Sequence, residues 1–284
     1  MSSETLDQLF RKTAGRLGHS TCPFLEARLL IQVASGLSEA DFFRHLDSPV
    51  KIAWKKKLER LVRKRLAGWP VAYLLGRKEF WSLEFKVNPA VLIPRPETEV
   101  LVEKVLSLPL STEPWILDVG TGCGNIAIAL ARELPRARIV ASDVLRRVLN
   151  LARENAKKFG LKNLKFVCSD LLDYFIARKL HFEVIVSNPP YVSEKEWGKL
   201  EPSVRDFEPR KALVAGPTGF EIINRLIALA PKCLKPGGYL VFEFGARQEK
   251  QLKTKFDQRW SELEIIKDYS GIPRVFCARF KAAN

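Results

Sequence analysis

Histidine, cysteine and methionine are scarce in this sequence of 284 residues, which contains three, five and one of them, respectively. The five cysteines stand far apart and form no C-x-x-C pair, which argues against a zinc site or a disulfide framework. No apolar run is long enough to cross a bilayer, and the N-terminus lacks a basic segment followed by an apolar one. These absences predict a cytoplasmic protein that is not attached to a membrane and holds no metal.

Acidic residues are also in deficit, since 47 lysines and arginines face 32 aspartates and glutamates, for a net charge of +15. Such a charge favours work near the ribosome, RNA or DNA, although a surface built for solubility or heat tolerance explains it equally well. The densest basic region is 55–65, on a predicted helix whose other face is apolar. This face is either an RNA or ribosome contact or a solvated surface whose long stems cover apolar groups.

The first 75 residues have the pattern of an all-helical domain. Apolar residues recur at helical spacing in Leu6, Leu9 and Phe10, and again from Phe24 to Ala34. Ser38 is typical of a helix start. Residues 76–95 then predict a β-hairpin linker, with one strand over 78–87, a turn at Asn88-Pro89 and a second strand at Val91–Ile93.

Residues 96–284 alternate between strand and helix, which predicts a doubly wound α/β sheet. The predicted strands are Trp115–Val119, Arg138–Asp143, Leu164–Cys168, Phe182–Ser187, Gly238–Glu243, Glu264–Asp268 and Arg274–Arg279. Helices are predicted near 125–134, 144–159, 219–233 and 245–257. Because only the short turn 269–273 separates the last two strands, they must pair antiparallel.

The first candidate site is the loop Asp118-Val-Gly120-Thr121-Gly122-Cys123-Gly124, which follows an apolar strand and precedes a helix. Glycines let the backbone turn tightly and approach a ligand. Asp118 is placed to accept from a cofactor ammonium, and Asp143, at the end of the next strand, to bind both hydroxyls of a ribose. The G-x-G-x-G spacing favours S-adenosylmethionine. NAD and a purely structural turn remain the alternatives.

A second contact is predicted after the third strand of the sheet. Asp170 is suited to accept from an adenine amino group, and Leu171 to pack on the ring. The alternative is that Ser169 and Asp170 cap the next short helix, and the two roles are compatible.

The tetrapeptide Asn188-Pro189-Pro190-Tyr191 follows the fourth strand and predicts the catalytic and acceptor-binding site. The two prolines fix the backbone. The Asn188 side-chain oxygen and the Pro189 carbonyl can then accept both protons of one NH₂ group, while Tyr191 offers a face to a planar amide or base. Two oriented acceptors stabilise the charge that develops on nitrogen during methyl transfer, so no general base is needed beforehand.

With these motifs and the stretch Leu92-Ile-Pro94-Arg95-Pro96-Glu97-Thr98-Glu99, nearly the whole chain resembles the HemK/PrmC family of protein-glutamine N5-methyltransferases. The resemblance implies a class I methyltransferase (Rossmann-like) domain that uses S-adenosylmethionine and releases S-adenosylhomocysteine. It also implies that the acceptor is the glutamine of the Gly-Gly-Gln motif in class I peptide chain release factors. The N-terminal helical domain would then recognise this substrate. Arg95 and Glu97 would either bridge the cofactor site and the linker or form a structural ion pair.

Two rival acceptors remain for the same chemistry. One is a glutamine of a ribosomal protein, against which the Pro94–Glu99 stretch argues. The other is the N6 amine of adenine in DNA or RNA, flipped onto the same tetrapeptide. The net charge supports the second rival, but such an enzyme usually needs a target-recognition domain larger than the roughly 90 residues available here. We expect the protein to act as a monomer.

Overall fold

A computed structural model describes residues 4–281 of the chain. The chain forms two compact units. The first contains the residues up to Arg77 together with Pro202–Phe207, and the second contains Lys78–Glu201 and the residues from Glu208 onward. The first unit therefore takes up a short segment from the second half of the chain, which no sequence pattern indicated. None of the helices within 4–281 is long and apolar enough to cross a membrane.

The first unit is helical, as predicted. Its main helices are α1 (Leu6–Arg16), α2 (Pro23–Ser35), α3 (Glu39–Arg44), α4 (Ile52–Leu66) and α5 (Val71–Leu75). Side chains of α1, α2 and α4 share one apolar core around the fully buried Leu17, Leu30 and Val62. Ser38 caps α3 by accepting a hydrogen bond from the Asp41 amide, so the predicted helix start is confirmed.

The basic face of α4 is largely engaged within its own unit. Lys55 pairs with Glu4, Arg63 with Glu59 and Arg65 with Glu26, while Lys57 donates to the Val33 carbonyl. The Lys64 ammonium lies over the Trp69 ring. These partners leave fewer free cations on α4 than the sequence alone suggests.

A hairpin is present in this region, but it is not the predicted one. The stretch 78–87 is not one strand: β1 (Arg77–Phe80) pairs with β2 (Leu83–Lys86) around a turn in which Trp81 and Ser82 both have φ of 53°. The Glu99 carboxylate fixes this turn by accepting from the Trp81 amide. The strand predicted at Val91–Ile93 was wrong, since those residues belong to no strand and the Ile93 amide bonds to a side chain, Glu208, instead.

The second unit is built around a seven-stranded sheet. From residue 96 onward the elements of the chain, all in the second unit except α11, are α6 (Glu99–Leu106), β3 (Trp115–Val119), α7 (Asn125–Glu133), β4 (Arg138–Asp143), α8 (Arg146–Lys158), β5 (Leu164–Cys168), α9 (Asp173–Ala177), β6 (Phe182–Ser187), β7 (Val192–Ser193), α10 (Glu194–Trp197), α11 (Pro202–Arg205), α12 (Arg210–Leu213), β8 (Val214–Gly216), α13 (Glu221–Leu229), β9 (Leu234–Glu243), α14 (Glu249–Leu252), β10 (Trp260–Lys267) and β11 (Pro273–Phe280). A 3₁₀ helix, Pro96–Thr98, leads into α6, and two more follow α13 and α14. Strands β7 and β8 form a separate small parallel pair.

The strand order is β10-β11-β9-β6-β3-β4-β5, which confirms the predicted α/β class. Strands β3, β4, β5, β6 and β9 run parallel, and β11 is antiparallel to both β9 and β10. The antiparallel ending is therefore also confirmed. After β5 the chain crosses to the other side of β3, so the carboxyl ends of β3 and β6 lie at a topological switch point.

One predicted helix is mostly absent. Of residues 245–257, only the four residues of α14 are α-helical, followed by a 3₁₀ turn at Lys253–Lys255. The reason lies in Gln248, a buried residue whose Oε1 accepts from the Gly245 amide at 2.9 Å. That bond folds 245–248 into a turn, which prevents a helix from starting at the end of β9.

Candidate active site at the carboxyl ends of the parallel strands

A cavity of about 200 Å³ opens where the parallel strands end. Nine of the predicted site residues line it: Gly120, Thr121, Gly122, Cys123, Asp143, Asp170, Leu171, Asn188 and Pro190. Asp118, Gly124, Pro189 and Tyr191 are not among the lining residues but adjoin them in the chain. The motifs following β3, β4, β5 and β6 thus converge on one space, as the topology of a doubly wound sheet requires.

The three glycines after β3 all have positive φ, but for two different purposes. A Cβ on Gly120 or Gly122 would meet nothing within 4 Å, so these two glycines leave open space beside the cavity. A Cβ on Gly124 would lie 3.0 Å from Ile128 and 3.3 Å from Ala152. Gly124 therefore allows α7 and α8 to pack closely, while Gly120 and Gly122 allow a ligand to approach the backbone.

Asp118 is completely buried at the end of β3 and is only half satisfied. Its Oδ2 accepts from the Thr121 hydroxyl at 2.6 Å, whereas its Oδ1 is buried without any hydrogen-bond partner in the described chain. Burial raises the pKa of Asp118 to about 7, against the lowering effect of hydrogen bonding from the Thr121 hydroxyl and the Ala127 amide. A buried carboxylate oxygen without a close partner suits a hydrogen-bond donor that a ligand brings.

Asp143 ends β4 and braces the glycine loop. Its Oδ2 accepts from the Gly122 amide at 3.2 Å and its Oδ1 from the Leu145 amide at 3.0 Å. A carboxylate has about four acceptor positions, so Asp143 can also accept from a ribose hydroxyl. Burial raises the pKa of Asp143, and its backbone hydrogen bonds oppose that shift.

The segment after β5 lies between the cavity and the following short helix. The Ser169 hydroxyl accepts from the Tyr174 amide in the first turn of that helix, although Leu172 is the residue at its N-cap. Asp170 lines the cavity, with its carboxylate 3.0 Å from the Arg225 guanidinium. Leu171 lines the cavity with a φ of 42°, a strained conformation for a residue with a Cβ and one that is enriched at ligand sites.

Asn188 is held by a residue that the sequence analysis did not single out. The Asn188 Nδ2 donates to the Thr98 hydroxyl at 3.1 Å, and Thr98 in turn donates to Glu243 Oε2 at 2.6 Å. No donor among residues 4–281 reaches the Asn188 Oδ1. Asn188 therefore presents an unused acceptor at the cavity wall.

Tyr191 is directed toward the same buried glutamate. Its hydroxyl donates to Glu243 Oε1 at 3.0 Å, and burial, together with that carboxylate, raises the pKa of Tyr191 well above its usual range. Burial also raises the pKa of Glu243, opposed by the hydrogen bonds from Thr98 and Tyr191 and by the charge of Arg274. Tyr191 therefore stays a neutral donor.

The backbone after Tyr191 is clamped by Gln248. The Gln248 Nε2 donates to the carbonyls of Tyr191 at 3.1 Å and Gly219 at 3.0 Å. Gly219 has a φ of 84°, and a Cβ there would lie 2.6 Å from the Tyr191 carbonyl oxygen. The loop 214–219 therefore packs against the backbone of the tetrapeptide and supports it.

Arg95 and Glu97 were expected to bridge the cofactor site and the linker or to form an ion pair. Arg95 does line the cavity, and its guanidinium lies 2.5 Å from Glu208, which also accepts from the Ile93 amide. Glu208 is buried, so this contact fixes the residues leading into α6 beside the cavity.

Sequence reasoning missed Thr98, Glu243 and Gln248. Two of them carried a signal: Thr98 belongs to the quoted Pro94–Glu99 stretch, and Glu243 ends a predicted strand at the edge where ligands bind. Gln248 carried none, because its importance depends on the loops that it joins.

Two family models and several curated proteins match this chain. The family described as "PrmC N-terminal domain" matches residues 8–76, and the "Methyltransferase small domain" matches residues 96–200. A release factor glutamine methyltransferase of Koribacter versatilis is 37% identical over 97% of this chain and 98% of its own. That of Chlorobaculum tepidum is 38% identical over 89% of this chain and 88% of its own.

The chain belongs to the release factor glutamine methyltransferase family. The resemblance found in its sequence is thereby confirmed, and members of this family are methyltransferases that use S-adenosylmethionine. Among solved structures, a methyltransferase of Pyrococcus furiosus superposes with a TM-score of 0.52 at 19% identity, covering 78% of this chain and 98% of the other. This likeness supports the methyltransferase fold.

The described residues fit S-adenosylmethionine. The buried, unpartnered Oδ1 of Asp118 suits the ammonium of the cofactor, directly or through a water molecule. The remaining acceptor positions of Asp143 suit the ribose hydroxyls, and the open space beside Gly120 and Gly122 admits the ligand to the backbone. Leu171 and Asp170, which are the predicted contacts of the adenine, line the same cavity.

Proposed function

We propose that the protein transfers a methyl group from S-adenosylmethionine to the side-chain amide nitrogen (N5) of the glutamine in the Gly-Gly-Gln motif of class I peptide chain release factors. The observation that carries the proposal is the free Oδ1 of Asn188 on the wall of the cavity that Asp143 and the glycine loop also line. Family membership supports the identity of the acceptor protein.

S-adenosylmethionine, when bound, supplies a methyl group on a positively charged sulfur. An amide nitrogen is a weak nucleophile because its lone pair is delocalised over the carbonyl. Asn188 Oδ1 and the Pro189 carbonyl each accept one proton of the NH₂ group, which orients the nitrogen and stabilises the positive charge that it acquires. The nitrogen loses a proton to solvent only after the new C–N bond has formed, so a general base is not required.

Neighbouring residues keep the acceptor site rigid. Thr98 holds the Asn188 amide, and Gln248 holds the carbonyl of Tyr191. The aromatic ring of Tyr191 packs beside the planar acceptor amide, while its hydroxyl donates to Glu243. The helical domain, residues 1–75, recognises the release factor outside the reacting loop, and contact of α4 with RNA or the ribosome stays a prediction.

A labelling experiment tests this function. The protein is incubated with methyl-labelled S-adenosylmethionine and either a purified class I release factor, the same factor with the motif glutamine replaced by glutamate, or double-stranded DNA. We expect label only on the unmodified release factor, at the glutamine by peptide mass spectrometry. Label on DNA with none on the release factor would refute the proposal and favour the adenine acceptor.

A further inference from the structure

The shape of the Asn188 side chain does not determine which end of its amide faces the cavity. The two ends of a carboxamide have nearly the same size, but one end only accepts hydrogen bonds and the other only donates them. An Asn188 turned by 180° would present NH₂ to the NH₂ group of the acceptor and repel it. Some neighbour must therefore distinguish the two orientations.

A chain of hydrogen bonds runs inward from Asn188 and ends on a carboxylate. Asn188 donates to Thr98, and Thr98 donates to Glu243 Oε2. Tyr191 donates to the other oxygen, Glu243 Oε1. Both Thr98 and Glu243 are buried, with 1% and 0% of their surfaces exposed, so solvent cannot replace either partner.

This chain has a single polarity. The ionised form of Glu243, which the charge of Arg274 and the hydrogen bonds from Thr98 and Tyr191 favour, can only accept, so the one proton of the Thr98 hydroxyl is committed to Glu243. Thr98 can then only accept from Asn188, which fixes Nδ2 toward Thr98 and leaves Oδ1 at the cavity. Reversing Asn188 would place its Oδ1 against a hydroxyl oxygen that has no proton to give, leaving a buried acceptor unpaired.

We propose that Glu243 is a positioning residue that acts through Thr98 to keep the Asn188 carbonyl oxygen facing the acceptor. The inference rests on the proposed function, because the acceptor that it serves is the glutamine NH₂. Glu243 contributes no atom to the reaction. Its role is to define which end of a neighbouring amide is exposed.

Glu243→Gln is the decisive variant because it keeps the shape and removes the polarity. The new side chain can turn its NH₂ toward Thr98 while still accepting from Tyr191. Thr98 then donates to Asn188 and turns the Asn188 amide around. We expect kcat for release factor methylation to fall about 10- to 100-fold, while the Kd for S-adenosylhomocysteine changes less than about 3-fold.

Glu243→Gln should raise the turnover of a variant in which residue 188 has an acceptor oxygen at both ends of its side chain. In an Asn188→Asp background, an aspartate oxygen faces the Thr98 hydroxyl, whose proton is committed to Glu243. Adding Glu243→Gln frees that proton for the aspartate, so every group in the chain is paired again. We expect the double variant to turn over about 10-fold faster than Asn188→Asp alone.

Glu243→Gln is therefore expected to lower turnover in the unaltered protein and to raise it in the Asn188→Asp background. This opposite effect distinguishes a role in hydrogen-bond polarity from a role in structural support. A glutamate that merely stabilised the fold would lower activity in both backgrounds. Equal losses in the two backgrounds, or no loss in the otherwise unaltered protein, would overturn the proposal. Glu183→Gln is the matched control: Glu183 lies on β6, five residues before Asn188, and accepts from Ser111 and Lys235, so its loss should leave kcat unchanged in both backgrounds.

A second pair of variants covers the case in which Glu243→Gln does not fold. Thr98→Ser keeps the hydroxyl and should retain kcat within about 3-fold, whereas Thr98→Val has the same shape without it and should lose about 10-fold or more. Equal activities of these two variants would also overturn the proposal. If the unaltered protein does not methylate the release factor at all, the proposed function has failed instead.

Discussion

Asp118 should make cofactor binding depend on pH around neutrality. Burial raises the pKa of this carboxyl from 3.8 to about 7, and its Oδ1 lacks a donor. The ammonium of the cofactor favours the ionised carboxylate. A protonated Asp118 must therefore lose its proton before the cofactor binds well, and affinity should rise with pH.

The expected magnitude follows from the fraction of Asp118 that is ionised. With a pKa of about 7, roughly a tenth of the molecules are ionised at pH 6 and roughly nine tenths at pH 8. The apparent Kd should therefore fall about 10-fold over these two pH units. Without ligand the sign is opposite, because the folded Asp118 keeps its proton to higher pH than the unfolded one, so stability falls as pH rises from about 4 to 7.

Isothermal titration calorimetry with S-adenosylhomocysteine from pH 6 to 8 measures this dependence. Two controls isolate the cause: Asp118→Asn cannot titrate, and 5′-methylthioadenosine has the ribose but no ammonium. Any pH dependence that persists with methylthioadenosine belongs to Asp143, whose pKa burial also raises. A Kd for S-adenosylhomocysteine that is constant across this range would refute the reasoning. So would a slope that survives Asp118→Asn after the dependence seen with methylthioadenosine has been subtracted.

Three further predictions concern the acceptor site and its supports. Asn188→Ala should lower kcat at least about 100-fold in the labelling assay with cofactor Kd nearly unchanged, and equal losses of both would mean that Asn188 mainly binds cofactor. Gly219→Ala should cost about 2–4 kcal/mol of unfolding free energy by denaturant titration, from its φ of 84° and the clash at 2.6 Å, whereas Gly198→Ala, with open space around it, should cost little. Glu208→Gln should cost about 2 kcal/mol, less than a fully buried pair because the Arg95 side chain is 28% exposed, and the exposed pair of Glu113 with Arg138 serves as control for the same substitution.

Local regularity explains which parts of the fold were predictable. Strands β3 to β6 were predicted with their observed ends because apolar runs bounded by glycine, proline and acidic residues leave few alternatives. The errors at 78–93 and 245–257 fell where single hydrogen bonds from a backbone amide to a side chain decide the backbone. Glu99 bonds to the turn at Trp81, and Gln248 folds the chain after β9.

For the active site, the sequence determined the chemistry through short motifs, because their positions directly after strands fix where they lie in the sheet. The glycine loop and Asn188–Tyr191 each follow a strand, and the carboxyl ends of parallel strands meet at one edge of the sheet. The kind of acceptor is supported by family membership, which rests on similarity over 97% of the chain and not on the motifs alone.

Only the tertiary structure decided how Asn188 is oriented. Thr98 lies 90 residues before Asn188 and Glu243 lies 55 residues after it, and no local pattern relates them. Their hydrogen bonds exist because the 3₁₀ helix before α6, the end of β6 and the end of β9 meet in a region that excludes water. A sequence motif can place an amide at the site, but the direction in which that amide faces depends on which buried partners the fold supplies.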